Sequence, residues 1–158
     1  MRFDIITIFP EIFASYFQES LLARAQEKKL IEINVHNLRD WTDKKVALRP
    51  FNKVQGHPEE FEGRQAQGNF SARGRVDDSP FGGGLGMVMK VDPIYKAVQS
   101  LKTTNYKRKT VLFTPRGKKF TQKKAYEYAK LKQIVMICGR YEGIDERVGK
   151  YIADEQIS

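Results

Sequence analysis

The residues best suited to chemistry lie between Gln133 and Asp145, in the stretch QIVMICGRYEGID. Gly139 and Gly143 bracket one cation, one aromatic ring and one carboxylate: Arg140, Tyr141 and Glu142. The five residues before Gly139, Ile134 to Cys138, are uninterruptedly apolar and of strand length, as suits a strand buried on both faces of a mostly parallel sheet. Open α/β sheets bind their ligands in the crevice at the carboxyl ends of such strands. Glycine there accepts positive φ and lets a ligand or another backbone come close. An ordinary strand-to-helix turn would also use both glycines for the chain reversal alone.

Two further stretches share that character. In VDDSPFGGGLGMVM, Val76 to Met89, four glycines surround Leu85, following Asp77 and Asp78. Ionised carboxylates are pure acceptors and suit the N–H donors of a guanine edge. The stretch lacks the closing Gly-Lys-Ser/Thr of a Walker loop, and no strand immediately precedes it as a dinucleotide fingerprint requires. A flexible hinge is the competing reading. In the third stretch, an apolar strand Thr110–Thr114 is expected to end in a Pro/Gly turn, Pro115-Arg116-Gly117-Lys118-Lys119.

The elements that position these residues follow from periodicity. Phe3–Phe9, rich in β-branched and aromatic residues, predicts the first strand. Pro10 then opens a helix in which Ile12, Phe13, Tyr16, Phe17, Leu21, Leu22 and Ala25 form one core-facing stripe. Leu30–Leu38 predicts a second strand, so the chain opens β-α-β with parallel strands. From Arg39 to Arg75 no period holds, and residues 46–74 read as a long loop insertion. A helix is expected from Asp92-Pro93 to Leu101, and another from Thr121 to Leu131. Ile144–Val148 reads as a short helix and Tyr151–Ser158 as a further strand or loop.

The chain of 158 residues fits one domain with a real core. Its formal net charge is +9, and Leu101–Lys150 carries fourteen Lys/Arg against Glu127, Glu142, Asp145 and Glu146. Such clustering favours a polyanionic partner, nucleic acid above a merely solvated surface. No apolar run reaches the 18 or so residues of a membrane span. The start of the chain, passing directly into a strand, reads as that of a mature cytoplasmic protein. Cys138 has no partner cysteine and is expected to be a small buried hydrophobe. His36 and His57 have no second ligand at metal spacing, so no metal site is expected.

Four stretches together, FDIITIFPEIF (Phe3–Phe13), VDDSPFGGGLGMVM (Val76–Met89), LFTPRGKKF (Leu112–Phe120) and CGRYEGIDERV (Cys138–Val148), strongly resemble the bacterial tRNA (guanine-N1)-methyltransferase family of knotted α/β methyltransferases. The resemblance implies a mostly parallel sheet with helices on both faces and a trefoil knot. It implies a homodimer that transfers a methyl group from S-adenosylmethionine to N1 of the guanosine 3′ of the tRNA anticodon, with magnesium assisting. By motif match the cofactor walls would be Leu112, Phe113, Thr114, Pro115 and Gly117 with Gly139, Tyr141, Glu142 and Gly143, and Ser158 at the start of the third knot segment. Asp77, Asp78, Gly86 and Met87 match the region that contacts the substrate RNA. The family's general base, an aspartate of its carboxyl-terminal half, is expected beyond Ser158, as are the Gly-rich knot loop and the tRNA-binding domain. The chain is therefore expected to be an amino-terminal methyltransferase domain, 1–158, cut at its carboxyl end and inactive alone. The alternative is a non-catalytic RNA-binding module that keeps its lysines and the Asp77–Met87 loop.

Overall fold

The apolar run forms the middle of the molecule. In the computed structural model, which describes residues 1–42, 74–79, 86–102 and 107–158, it is strand β6 (Gln133–Cys138). This strand pairs in parallel with β1 (Arg2–Thr7) on one side and β5 (Arg108–Lys118) on the other. Outside them lie β2 (Glu32–Asn37) and β7 (Glu155–Ile157), giving a five-stranded parallel sheet of order β2-β1-β6-β5-β7.

Alternation is missing from β6 because both of its faces are covered. Val135 and Ile137 pack with Ile94, Ala97 and Val98 of helix α3 (Val91–Ser100) and Val148 of helix α5 (Glu146–Tyr151). Ile134 faces the other way, into a smaller cluster with Val111, Ile157 and Tyr128 of helix α4 (Gln122–Tyr128). Apolar burial on two faces is what a parallel sheet with helices on each side demands. Thr121 caps α4 through the Lys124 N–H, as its residue type and position anticipate.

Among the described residues one charged side chain is buried in this core. Asp4 is fully buried on β1, and accepts hydrogen bonds from Arg2 (2.8 Å) and Gln133 (2.7 Å) and lies 2.9 Å from His36 Nε2. Burial alone would raise its pKa, but His36, Arg2 and Gln133 together outweigh that and hold the carboxyl down at about 2. His36 is thus engaged with a carboxylate and edge-on to Trp41.

Two expectations are corrected. The segment after Pro10 is not one continuous helix with a core-facing stripe. It is a 3-10 turn at Pro10–Phe13, a four-residue helix α1 (Ala14–Phe17) and a separate helix α2 (Ser20–Glu27), none with a buried residue. Ser20 adopts a left-handed φ of 54°, which breaks the 3.6-residue register, and Ile12, Tyr16 and Leu21 stand 67%, 68% and 75% exposed. Nor does β5 stop at Thr114. It runs on through Pro115 and Gly117 to Lys118, and its pairing with β7 shifts register between Phe113 and Lys118, both of which face Ile157. A proline lacking its N–H is tolerated in a strand where the ladder is interrupted. Residues 46–73 of the expected insertion, Gly82–Gly84 and Leu85 lie outside the described residues.

Candidate functional site

Beyond Cys138 the chain leaves the sheet at Gly139 and turns through Tyr141, whose φ of 60° is left-handed for a residue with a side chain, and Gly143, with φ of 142°. Asp145 then caps α5 by accepting the Arg147 N–H at 2.9 Å. Alongside this turn runs strand β4 (Val88–Met89), antiparallel to β3 (Asp77–Asp78). The Glu142 N–H donates to the Met87 carbonyl (3.2 Å), the Met89 N–H to Gly143 (3.0 Å) and the Asp145 N–H to Met89 (3.1 Å). The Arg140 N–H points at the Met89 sulfur, 3.2 Å away. The Asp-rich hairpin and the GRYEG turn, far apart in sequence, are therefore one hydrogen-bonded body.

A cavity of about 1060 Å³ opens at this end of the sheet. Leu112, Phe113, Thr114 and Pro115 of β5 form one wall, and Gly139 through Ile144 another. These walls adjoin because β5 and β6 pair directly, Phe113 opposite Cys138. Lys150 and Tyr151 of α5 and Gln156 of β7 also line the cavity. Phe113, Tyr141 and Tyr151 stay exposed on the rim.

The charges at the cavity sort into paired and unpaired. Arg116 meets Glu146 at 2.9 Å, both well exposed. Arg147 grips Asp145 at 2.7 Å, and this side-chain hydrogen bonding, against some desolvation, holds the Asp145 carboxyl below its ordinary range. Arg140 lies over the Phe9 ring, 5.3 Å from its centre. Glu142 has no ion pair among the described residues. Cys138 is half-buried, and burial pushes its thiol pKa up, so it is neither a ready nucleophile nor part of the wall.

Of the residues singled out from sequence, Leu112, Phe113, Thr114, Pro115, Gly139, Tyr141, Glu142 and Gly143 come together on the cavity. Gly117 and Ser158 do not line it. Gly117 lies against the backbone of Ile157, while the Ser158 N–H donates to Lys118 and its carbonyl accepts from the Phe120 N–H. Asp77 and Asp78 sit on the hairpin, Asp77 3.9 Å from Arg75, and Asp78 held low by the Ser79 N–H and by Lys90 at 3.3 Å. Met87 joins the turn through its carbonyl, and Gly86 packs on Glu142. Sequence reasoning missed Lys150, Tyr151 and Gln156 as wall residues. Gln156 reaches the wall by pairing with Leu112, and Lys150 and Tyr151 reach it through the placement of α5; no local signal announces either contact.

The chain matches the family model described as tRNA (Guanine-1)-methyltransferase TrmD over residues 1–55 and 64–158. The eight residues outside the match fall within the segment read as an insertion. A tRNA (guanine-N(1)-)-methyltransferase of Citrifermentans bemidjiense is 40% identical over 158 residues, 100% of this chain and 53% of that protein. One from Dictyoglomus turgidum is 43% identical over 98% of this chain and 51% of its own length. The chain spans about half the length of the curated relatives it matches. The crystal structure of tRNA (m1G37) methyltransferase from Aquifex aeolicus superposes with a TM-score of 0.72 at 34% identity, covering 100% of this chain and 59% of that one. A family match over residues 1–55 and 64–158, with a solved relative of the same fold at 34% identity, establishes that this chain belongs to the tRNA (guanine-1)-methyltransferase family.

Proposed function

We propose that the chain provides the S-adenosylmethionine-binding part of a cytoplasmic, homodimeric enzyme that methylates N1 of the guanosine 3′ of the anticodon in tRNA. The observation that carries this reading is the cavity at the carboxyl ends of β5 and β6, walled by glycine-containing backbone and lined by the Glu142 carboxylate, which has no ion pair among the described residues. The walls fit the proposed cofactor. Gly139 leaves backbone open between Ile144 and the Phe113 carbonyl, where an added Cβ would stand 3.1 Å from the Ile144 side chain. Main-chain N–H and C=O groups there suit an adenine edge, and Glu142 suits a ribose hydroxyl or the cationic methionine end.

S-adenosylmethionine, when bound, supplies a methyl group already activated on a sulfonium. What remains for the chain's own residues is placement and the exclusion of water. Removal of the N1 proton needs a general base. Asp145 is unsuited to that work, because it caps α5 and is held as a carboxylate by Arg147. We assign the base to an aspartate beyond Ser158, on the resemblance to the family. Magnesium is proposed as an assisting ion. Among the described residues no three His, Cys, Asp or Glu side chains gather into a site for it. No described helix is long and apolar enough to cross a membrane.

Calorimetric titration of S-adenosylmethionine into the whole protein tests the reading. Binding that is weakened about tenfold or more by Glu142→Ala, and abolished by Gly139→Trp, is expected. Failure of the unmodified protein to bind while it still retains tRNA would replace the enzyme by an RNA-binding module.

A further inference from the structure

Gly86 precedes β4 with a φ of 100°, a conformation that L side chains rarely adopt. A Cβ built there would fall on Cγ of Glu142, with the carboxyl carbon 3.2 Å and the Glu142 Cβ 3.5 Å away. The Glu142 side chain thus lies flat on the Gly86 backbone. The next carbonyl, Met87, accepts the Glu142 N–H at 3.2 Å and fixes the two chains side by side. Three carboxylates line the cavity: Glu142, Asp145 and Glu146. Asp145 is taken by Arg147 and Glu146 by Arg116, so Glu142 is the one without an ion pair among the described residues.

From this geometry we infer that Gly86 is a positioning residue for Glu142: the absence of a side chain at 86 creates the floor that directs the Glu142 carboxylate into the cavity. The inference rests on the proposed cofactor site and deepens it. It makes the hairpin segment, matched by resemblance to the substrate RNA, part of the support of the cofactor pocket. Whatever moves Gly86 then moves Glu142, and the two ligands' affinities are reciprocally linked through this contact.

A double-mutant cycle in the whole protein separates this contact from the backbone preference of Gly86 itself. Gly86→Ala is expected to weaken S-adenosylmethionine about tenfold in calorimetry, as Glu142→Ala does, while the double variant binds no worse than Glu142→Ala alone. If the two penalties multiply, Gly86 acts through its own φ and the inference is overturned. Thermal unfolding is read on the same four proteins. Recovery of Tm, or of folding itself, when Glu142→Ala is added to Gly86→Ala supports the contact, and no recovery overturns it. If the unmodified protein does not bind the cofactor at all, the proposed function falls, and the unfolding cycle still decides whether Gly86 holds Glu142.

Discussion

Replacing Glu155 by Gln tests how β7 is fastened beside the cavity. The Glu155 carboxylate, 13% exposed, accepts from Lys124 (2.8 Å), Lys109 (3.1 Å) and the Tyr128 hydroxyl (2.8 Å). Burial pushes its pKa up, but the hydrogen bonds from Lys124, Tyr128 and Lys109 prevail and bring it from 4.5 to about 2. At about 1.4 kcal/mol per unit, the full shift corresponds to about 3 kcal/mol. The lysine side chains are 32% and 23% exposed, and solvent screening reduces the contribution to about 2 kcal/mol. A depressed carboxylate pKa stabilises above the unfolded value and loses that stabilisation as pH falls toward the folded one. At pH 7, Glu155→Gln should unfold roughly 4–8 °C lower than the unmodified chain. Between pH 4.5 and about 2 the gap should close, because the unmodified carboxyl takes up the proton that the amide cannot. Asp4, also held at about 2, remains in both proteins and leaves each with some acid sensitivity. Circular-dichroism melts at pH 7, 4 and 3 measure this. A gap that stays constant with pH, or none at pH 7, would show that β7 is not held by this charge cluster.

Gly117→Ala would drive a methyl group into the Ile157 backbone, which cannot yield as a side chain could. The expected cost is about 1–3 kcal/mol, with faster hydrogen exchange at the Ser158 and Phe120 amides; an unchanged melt would contradict it. Tyr141→Gly should relieve the left-handed residue at φ 60° by about 1 kcal/mol and raise Tm by roughly 2–4 °C. The same change should weaken ligand binding through loss of the rim ring, and a lowered Tm would show that the turn is unstrained.

The legible parts of the fold were those where burial acts on a single segment. Ile134–Cys138 announced a doubly covered strand because no polar residue interrupts it, and Thr121 announced the start of α4 because a cap is a local requirement. Strand ends followed by Gly and Pro announced a crevice, but Leu112, Phe113, Thr114, Pro115, Gly139, Tyr141, Glu142 and Gly143 were named as its walls through the resemblance to the family, not through local pattern. The stripe from Ile12 to Ala25 misled because periodicity reports that a face is apolar, not that anything covers it. The left-handed Ser20 could not be foreseen, as serine carries no demand for that conformation. Pro115 and Gly117 looked like a turn, although the partner that lets β5 continue, Ile157, lies forty residues on from Gly117. The union of Gly86–Met89 with the GRYEG turn depends on tertiary contact alone.

The strand order has a consequence for how the chain comes into being. β1, among the first residues made, is flanked by β2 and by β6, and Asp4 finds its buried partner Gln133 across 129 residues of sequence. During vectorial synthesis the β1 edge that β6 will cover must wait, with Asp4 held by Arg2 and His36 but lacking Gln133, until Gln133 has emerged. Closing so long a loop precedes any reward from the contacts it makes. The centre of the sheet therefore closes only after β1, β2 and β5 have been made, and a nascent chain arrested before Gln133 presents an open, apolar strand edge of the kind that recruits other chains.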